Sequence, residues 1–338
     1  MNPTIKDVAK RAGVSVSTVS LVINQKKNVS KETVKKVQQA IDELNYFPRR
    51  SAQGLASKKS GNIGFILTDD HFSHAEPFYT KIFLGSEFEA RKHNYYILLT
   101  TVEQKFSKKS IPRFLLEKNV DGVILAGKVP TGLIEYIRQY DLPVIFIDYL
   151  PQKGKATAIL IDNVDGASQA VQYLIELGHK MIGFIGGDIR HPSISDRFLG
   201  FQNALQNADI PIENKIISTN ESYTGIDNGY NAMKNILTRD GKPTALFCSN
   251  DTMGIGAMKY LKEQGYKIPE DVSLVGFDDI EAAYQAEPPL TTMKVFKEEI
   301  GGLAVEELVK LIEDNKKLPE KKLVPVEIII RTSCSKLS

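Results

Sequence analysis

Several polar side chains follow directly on short apolar runs, where the carboxyl ends of buried parallel strands would lie. They are Asp69, Asp70, Asp148, Asn250, Asp251, Asp278 and Asp279. Because open α/β sheets bind ligands just outside the carboxyl ends of their strands, we expect these side chains to converge on a ligand-binding site. Each aspartate taken alone could instead cap a helix, so the prediction depends on the set. Four further residues suit the same ligand: Phe78, Tyr79, Tyr223, and Arg197 within S-D-R-F-L-G-F.

No residue pattern indicates catalysis, a metal or a cofactor. Gly254 and Gly256 lack the third glycine of a nucleotide-binding loop, because Lys259 stands in its place. The five histidines show neither zinc-ligand spacing with cysteine nor a helical repeat of four. His71 and His74 are three residues apart in a predicted loop, and we interpret them as surface residues. The sequence therefore predicts a binding site rather than an active site, and not an enzyme.

The chain has 338 residues, 42% of them hydrophobic, which suffices for a small head and two further domains. No apolar run approaches the roughly 20 residues that span a bilayer, and no apolar signal segment is present at the N-terminus. We therefore expect a cytoplasmic protein without a membrane partner. Cys248 and Cys334 are the only cysteines, so neither a disulfide framework nor a zinc site is indicated.

Alternating apolar runs and amphipathic segments predict two doubly wound α/β domains. The predicted strands span 64–69, 95–100, 121–127, 143–148, 157–162, 180–186, 244–250 and 272–277. The predicted helices span 77–92, 107–118, 130–140, 165–177, 194–208, 225–238 and 251–264. A strand at 291–295, a helix at 297–314 and a last strand at 324–331 complete the chain.

The first 45 residues predict three short helices. Thr4 is a suitable N-cap with Asp7 three residues on, and Gly13 can end the first helix in the left-handed conformation. Ser15 then starts a second helix and Ser30 a third. Inward-facing residues of the third helix are Val34, Val37, Ile41 and Leu44. Two amphipathic helices around a glycine also occur in ordinary helix pairs, so this pattern alone leaves that alternative open.

The charge of these first residues favours a small DNA-binding domain, or head, over an ordinary helix pair. Residues 1–60 hold 12 Lys and Arg against 4 Asp and Glu, whereas the other 278 residues hold 31 against 37. Ser17, Thr18 and Ser20 lie off the buried stripe of the second helix, which predicts a recognition helix. Residues 49–61 are basic and rich in serine and glycine, and predict a linker with weak helix potential.

Five motifs together resemble one protein family. They are I-K-D-V-A-K-R-A-G-V-S, T-V-S-L-V-I-N, V-S-K-E-T, L-N-Y-F-P and S-A-Q-G-L-A-S. The chain resembles the lac-repressor and purine-repressor family of bacterial transcription regulators over nearly its whole length. The resemblance implies a helix-turn-helix head (1–48), a hinge (49–61) and a periplasmic-binding-protein-like core for effector binding and dimerisation (62–338). It further implies three crossings between subdomain 1 (about 62–161 and 293–323) and subdomain 2 (about 162–292 and 324–332).

The resemblance also implies functional residues. In the head and hinge the DNA-binding residues would be Thr4, Ser15, Val16, Ser17, Thr18, Ser20, Leu21, Asn24, Ser30, Tyr46, Arg49, Ala52 and Leu55. Leu55 stands where family members wedge a leucine into the minor groove, although it could instead cover the following domain. The effector-binding residues would be Phe78, Tyr79, Asp148, Arg197, Tyr223, Asn250 and Asp278.

Two residues depart from the family pattern. Leu21 replaces a common arginine of the recognition helix, so that arginine cannot read a guanine edge here. Val295 replaces a polar residue of some sugar-binding relatives, which weakens a specific sugar assignment.

We therefore expect a ligand-responsive transcription regulator that binds palindromic double-stranded operator DNA as a homodimer. A repressor is favoured over an activator. Two heads on two half-sites double the few base contacts that one head makes. An arginine and an aspartate beside an aromatic face suit vicinal hydroxyls, which favours a sugar or sugar derivative over a nucleobase. A nucleobase effector and a corepressor protein remain alternatives. A solute-binding module would fit the clamp alone, but the basic head and missing signal segment argue against it.

Overall fold

The computed structural model describes residues 3–23, 29–46, 59–69, 78–314 and 319–337. They form a three-helix head and two six-stranded sheets with helices around them. None of the described helices is long and apolar enough to cross a lipid bilayer.

The head consists of α1 (Ile5–Ala12), α2 (Val16–Ile23) and α3 (Lys31–Leu44). At the start of α1, the hydroxyl and N–H of Thr4 donate hydrogen bonds to the Asp7 carboxylate at 2.7 and 2.8 Å. Gly13 ends this helix with φ of +68°, in the left-handed conformation that glycine adopts without strain.

The hydroxyls of Ser15 and Ser30 accept backbone hydrogen bonds from Thr18 and Thr33, so both residues cap their helices as predicted. The small core of the head includes Val8, Ala9, Val19, Val37, Ala40 and Tyr46. Val34, which the helical pattern turned inward, lies instead at the exposed side of α3. A helix of this size buries only a narrow stripe, and Val34 falls at its margin.

The first sheet has the order β11-β5-β4-β3-β1-β2, and all its strands are parallel. Its strands are β1 (Asn62–Thr68), β2 (Tyr96–Val102), β3 (Gly122–Ala126), β4 (Val144–Ile147), β5 (Thr157–Ile161) and β11 (Lys321–Val324). Its helices are α4 (Phe78–Lys92), α5 (Arg113–Leu116) and α6 (Thr131–Arg138). The single helix predicted at 107–118 is wrong, because Pro112 separates a 3-10 turn (Lys108–Ser110) from α5.

The second sheet has the order β12-β10-β9-β8-β6-β7. Its strands are β6 (Ile182–Gly187), β7 (Ile217–Glu221), β8 (Ala245–Cys248), β9 (Ser273–Asp278), β10 (Thr291–Lys294) and β12 (Glu327–Ile329). Only β12 runs antiparallel to its neighbour, β10. Its helices are α7 (Asn163–Glu176), α8 (Pro192–Asn207), α9 (Ile226–Thr238), α10 (Asp251–Glu263) and α11 (Glu281–Gln285), and a 3-10 turn (Asn214–Ile216) precedes β7.

The last part of the chain returns to the first sheet and then leaves it. Helix α12 (Lys297–Glu313) packs against α4 so closely that a Cβ atom on Gly85 would lie 1.9 Å from the Glu298 carbonyl oxygen. The single strand predicted at 324–331 is wrong: β11 and β12 lie in different sheets. Pro325 separates them, since proline has no N–H to donate to a strand ladder. The chain leaves the second sheet after Lys294 and the first sheet after Val324, and the subdomain limits near 293 and 324 stay predictions.

Candidate functional site

Arg197 on α8 is a buried cation held by several partners. Its side chain is buried, and its guanidinium donates to the Asn163 side-chain oxygen at 2.8 Å and to the Ser249 carbonyl at 2.5 Å. A third bond runs to the Asp278 carboxylate at 3.2 Å, and the guanidinium carbon lies 3.7 Å from the centre of the Phe277 ring. These contacts fix the plane of the guanidinium at the carboxyl end of the second sheet.

Asp278 ends β9 in a constrained turn. Its φ is +109° and that of Asp279 is +52°, both in the left-handed region that non-glycine residues rarely occupy. Arg331 holds this turn, because it donates to the Asp279 carboxylate at 2.5 Å and to the Leu290 carbonyl at 2.7 Å. Burial raises the pKa of Asp278, and the charges of Arg197 and Lys297 oppose that rise.

Asp148 and Tyr79 form the corresponding pair on the first sheet. The Tyr79 hydroxyl donates to the Asp148 carboxylate at 3.0 Å, and the ring of Phe78 lies edge-on to the Tyr79 ring at 5.1 Å. Burial raises the pKa of Asp148 to about 6, although Arg197 and the Tyr79 hydroxyl act in the opposite direction. Burial and the neighbouring Asp148 charge raise the pKa of Tyr79 well above its ordinary value.

Lys297 joins the two halves of this polar cluster, and sequence reasoning missed it. The residue starts α12 on the first sheet, yet its ammonium donates to the Asp278 backbone carbonyl of the second. The same ammonium lies 5.8 Å from the centre of the Phe78 ring. Burial lowers the pKa of Lys297, and the Asp278 and Asp251 charges oppose this shift. A lysine at the start of a predicted helix is typical of a solvated residue, so the sequence carried no signal for this contact.

Asn250 and Asp251 both have structural partners. The Asn250 side-chain oxygen accepts from the Met253 N–H at 2.9 Å and so caps α10, and its amide donates to the Thr224 carbonyl at 3.1 Å. Asp251 accepts from the Thr292 hydroxyl at 2.5 Å and from the Ile280 N–H at 2.9 Å. Asn250 therefore anchors the loop of Tyr223, whose side chain is 56% exposed.

Two buried hydroxyls at strand ends, among the residues that the structure describes, have no hydrogen-bond partner. They belong to Thr68 at the end of β1 and Ser249 after β8. An unpaired buried hydroxyl is costly, so such groups often mark a place where a polar molecule binds. Within the same described ranges, no group of three or more His, Cys, Asp or Glu side chains is arranged to hold a metal.

The head presents most of the predicted DNA-binding residues on its outside. Thr4, Ser15, Val16, Ser17, Leu21 and Ser30 are exposed, and Thr18 and Ser20 are half-buried. Tyr46 differs from these residues: it is only 7% exposed and packs in the head core after its N–H bonds back to the Ile41 carbonyl, and its contact with DNA stays a prediction. Asn24, Arg49, Ala52 and Leu55 lie outside the described residues, as do Asp70, His71 and His74.

A helix-turn-helix head joined to a two-sheet α/β core with a polar cluster between its sheets defines a class of protein: DNA-binding transcription regulators that respond to a ligand. Residues 4–49 match the model for bacterial regulatory proteins of the lacI family, and residues 171–334 match the periplasmic binding protein-like domain. The chain belongs to the lacI family of bacterial regulatory proteins, and is a DNA-binding, ligand-responsive transcriptional repressor.

Relatives that match over nearly their whole length support this assignment. The chain is 35% identical to the HTH-type transcriptional repressor PurR of Pasteurella multocida (strain Pm70), with 98% of each chain covered. It is 36% identical to the repressor of the same name from Vibrio atlanticus (strain LGP32), with 99% of each covered.

Solved structures agree with the fold. The lac repressor dimer bound to operator and the anti-inducer ONPF superposes with a TM-score of 0.83 at 29% identity, covering 100% of both chains. The transcriptional regulator CelR in complex with cellobiose gives 0.73 at 30% identity, covering 98% of this chain and 99% of that one.

Proposed function

We propose that this repressor binds a sugar or sugar derivative between its two sheets and that the ligand controls operator binding. The observation that carries this proposal is the convergence of Arg197 and Asp278 from one sheet with Tyr79 and Asp148 from the other, since the first two residues lie near enough to shift the pKa values of the other two. Paired donors and acceptors beside aromatic rings suit the vicinal hydroxyls of a carbohydrate. The two unpartnered hydroxyls, Thr68 and Ser249, support a polar ligand in the same region.

The proposed mechanism depends on contacts to both sheets. A ligand that grips Asp148 on one side and Arg197 with Asp278 on the other favours one arrangement of the two subdomains. A ligand with equal affinity for both arrangements would shift nothing, so the effect on DNA requires this difference. Lys297 belongs to the same coupling, because its contact with the Asp278 carbonyl crosses from one subdomain to the other.

We further propose a homodimer on a palindromic operator, acting in the cytoplasm where that DNA lies. The two heads would then read two half-sites, as in the lac repressor dimer to which the fold is similar. The remaining proposed DNA contacts of the hinge, including Leu55 as a minor-groove wedge, stay predictions.

The test of the ligand is a thermal-shift screen of the full chain against free sugars, phosphorylated sugars, nucleobases and nucleosides. A ligand that binds only the folded state raises the melting temperature with its concentration. We expect a sugar or sugar phosphate to do so and the response to disappear in Asp278→Asn. A nucleobase as the sole hit would replace the carbohydrate proposal. A screen without hits would favour a protein corepressor and contradict it.

A further inference from the structure

The outward face of α2 is unusual for a surface that reads DNA, because it carries neither a charge nor an amide. The sequence of the helix is V-S-T-V-S-L-V-I. Val19 is buried, and Val22 and Ile23 pack against the head core. The outward positions are therefore Val16, Ser17, Ser20 and Leu21, which form one continuous surface because residues three or four apart are neighbours on a helix.

The hydroxyls near the start of this face already have protein partners. The Ser15 hydroxyl lies 2.7 Å from that of Ser17 and 2.8 Å from that of Thr18, and it also accepts from the Thr18 N–H. The larger exposed side chains of this face are apolar: Val16 is 41% exposed and Leu21 is 38% exposed. Small serines between them allow the helix to approach a surface closely.

The charge around this face indicates what covers it. Exposed cations stand on the two neighbouring helices, at Lys6 and Lys10 of α1 and at Lys31 and Lys35 of α3. An uncharged helix face of apolar and small hydroxyl side chains, on a head whose other helices carry exposed cations, complements the major groove, where phosphates border the base edges. The apolar group that base edges present in this groove is the C5-methyl of thymine.

We propose that Leu21 and Val16 read thymine methyl groups, so that the operator half-site carries A·T pairs where a guanine-reading arginine would otherwise require G·C. This inference rests on the operator-binding function and adds the base composition of its target. Apolar contact makes the discrimination depend on one methyl group per thymine rather than on a bidentate hydrogen bond.

The experiment begins with selection of duplexes from a random-sequence library by the full chain. Each thymine of the enriched half-site is then replaced by deoxyuridine, which lacks only the methyl group, and affinity is measured by fluorescence anisotropy. We expect one or two positions at which each methyl removed costs about 4-fold, the equivalent of one buried methylene, and symmetric replacement in both half-sites costs about 15-fold.

Two variants assign the effect to the helix. Leu21→Ala should bind the thymine and deoxyuridine duplexes with equal affinity at the base pair that Leu21 reads. Leu84 is an exposed leucine of α4 in the core, and Leu84→Ala should keep the wild-type ratio of the two affinities. Leu21→Arg should shift the selected base towards guanine, and this gain does not depend on the stability of the alanine variant.

The inference is overturned if every deoxyuridine duplex binds as tightly as its thymine counterpart, or if Leu21→Ala keeps the wild-type discrimination. Enrichment of G·C pairs facing α2 by the wild-type chain would also overturn it. If no sequence is enriched at all, the operator-binding function itself fails, and that outcome is distinct from the others.

Discussion

The ammonium of Lys297 donates a hydrogen bond to the backbone carbonyl of Asp278, and the two residues belong to different halves of the core. Lys297 begins α12, the helix that packs on α4. Asp278 ends β9, and its carboxylate contacts Arg197. The lysine is buried, so its charge depends on the carboxylates around it. A contact that joins the two sheets at the ligand-binding cluster is suited to transmit a change in their arrangement.

Replacement of this lysine should therefore be costly. We expect Lys297→Met to lower the free energy of unfolding by about 3–5 kcal/mol at pH 8, because it removes the buried donor to the Asp278 carbonyl and one of the cations near the Asp278 and Asp251 carboxylates. At pH 5 the loss should be smaller, since the raised pKa of Asp278 favours its neutral form. Urea unfolding at both pH values measures this, with exposed Lys321→Met as the control. Equal losses at the two pH values would contradict the electrostatic account.

The buried Asp148 predicts a pH-dependent stability. Its pKa of about 6 in the folded chain exceeds the ordinary 3.8, so its favourable contribution is full below about pH 4 and is lost as pH rises through 6. Asp148→Asn should remove this dependence and stabilise the protein by up to about 3 kcal/mol at pH 8. Asparagine also tolerates the φ of +55° at this position.

Asp240→Asn is the matched control for that experiment. Asp240 has a φ of +56°, but its side chain is 78% exposed. The substitution should therefore leave the pH profile of unfolding unchanged. If Asp148→Asn and Asp240→Asn give the same profile as the wild-type chain, burial of Asp148 has no energetic consequence.

Two glycines should respond to alanine with opposite signs. Gly13 has a φ of +68° with no atom within 4 Å of an added Cβ, so Gly13→Ala costs only backbone strain, about 1–2 kcal/mol in the head. Gly302 lies within α12 with an added Cβ 4.0 Å from Glu89, and alanine there should stabilise the core by about 0.5–1 kcal/mol. Amide hydrogen exchange resolves the two regions, and a stabilised head in Gly13→Ala would contradict the prediction.

DNA binding should depend steeply on salt because the head is basic and the rest of the chain is acidic. The logarithm of the association constant should fall linearly with that of the salt concentration, by about 0.9 for each phosphate neutralised. Anisotropy titrations of an operator duplex over a range of salt concentrations give this slope. Replacement of an exposed lysine outside the head, Lys321→Gln, should leave this slope unchanged. A nearly salt-independent affinity would argue against the basic head as the binding surface.

The sequence predicted the elements whose signal is local. Strands buried on both faces are continuous apolar runs, and the eight runs that the sequence analysis names each contain a strand. Strand β7 lacks this signal because four of the five residues in I-S-T-N-E are polar, as expected of the edge position that it occupies. The apolar pattern alone predicts one continuous helix at 107–118 and one continuous strand at 324–331. Pro112 divides the helix and Pro325 divides the strand.

The candidate site was only partly predictable. The strand-end argument predicts Asp148 and Asp278, because the carboxyl ends of parallel strands converge. Arg197 lies on a helix, and it is predicted from the resemblance of S-D-R-F-L-G-F to a family motif. Lys297 and Arg331 could not be, since their roles follow from where the crossing segments bring them rather than from neighbouring residues. The same limit explains Tyr46, whose place in the head core depends on how the chain turns after α3.

The central claim is that a ligand held by Arg197 and Asp278 controls operator binding. Its most direct test is an operator titration by fluorescence anisotropy, with and without the ligand found in the screen, for the wild-type chain, Arg197→Lys and Asp278→Asn. Arg197→Lys removes the planar, forked set of donors and Asp278→Asn removes the carboxylate charge, so we expect roughly 10-fold or more ligand to be needed for any response. Affinity for operator without ligand should stay within about 2-fold of the wild type, which corresponds to about 0.4 kcal/mol of binding free energy. If both variants respond at wild-type ligand concentrations, the control of DNA binding does not pass through this cluster.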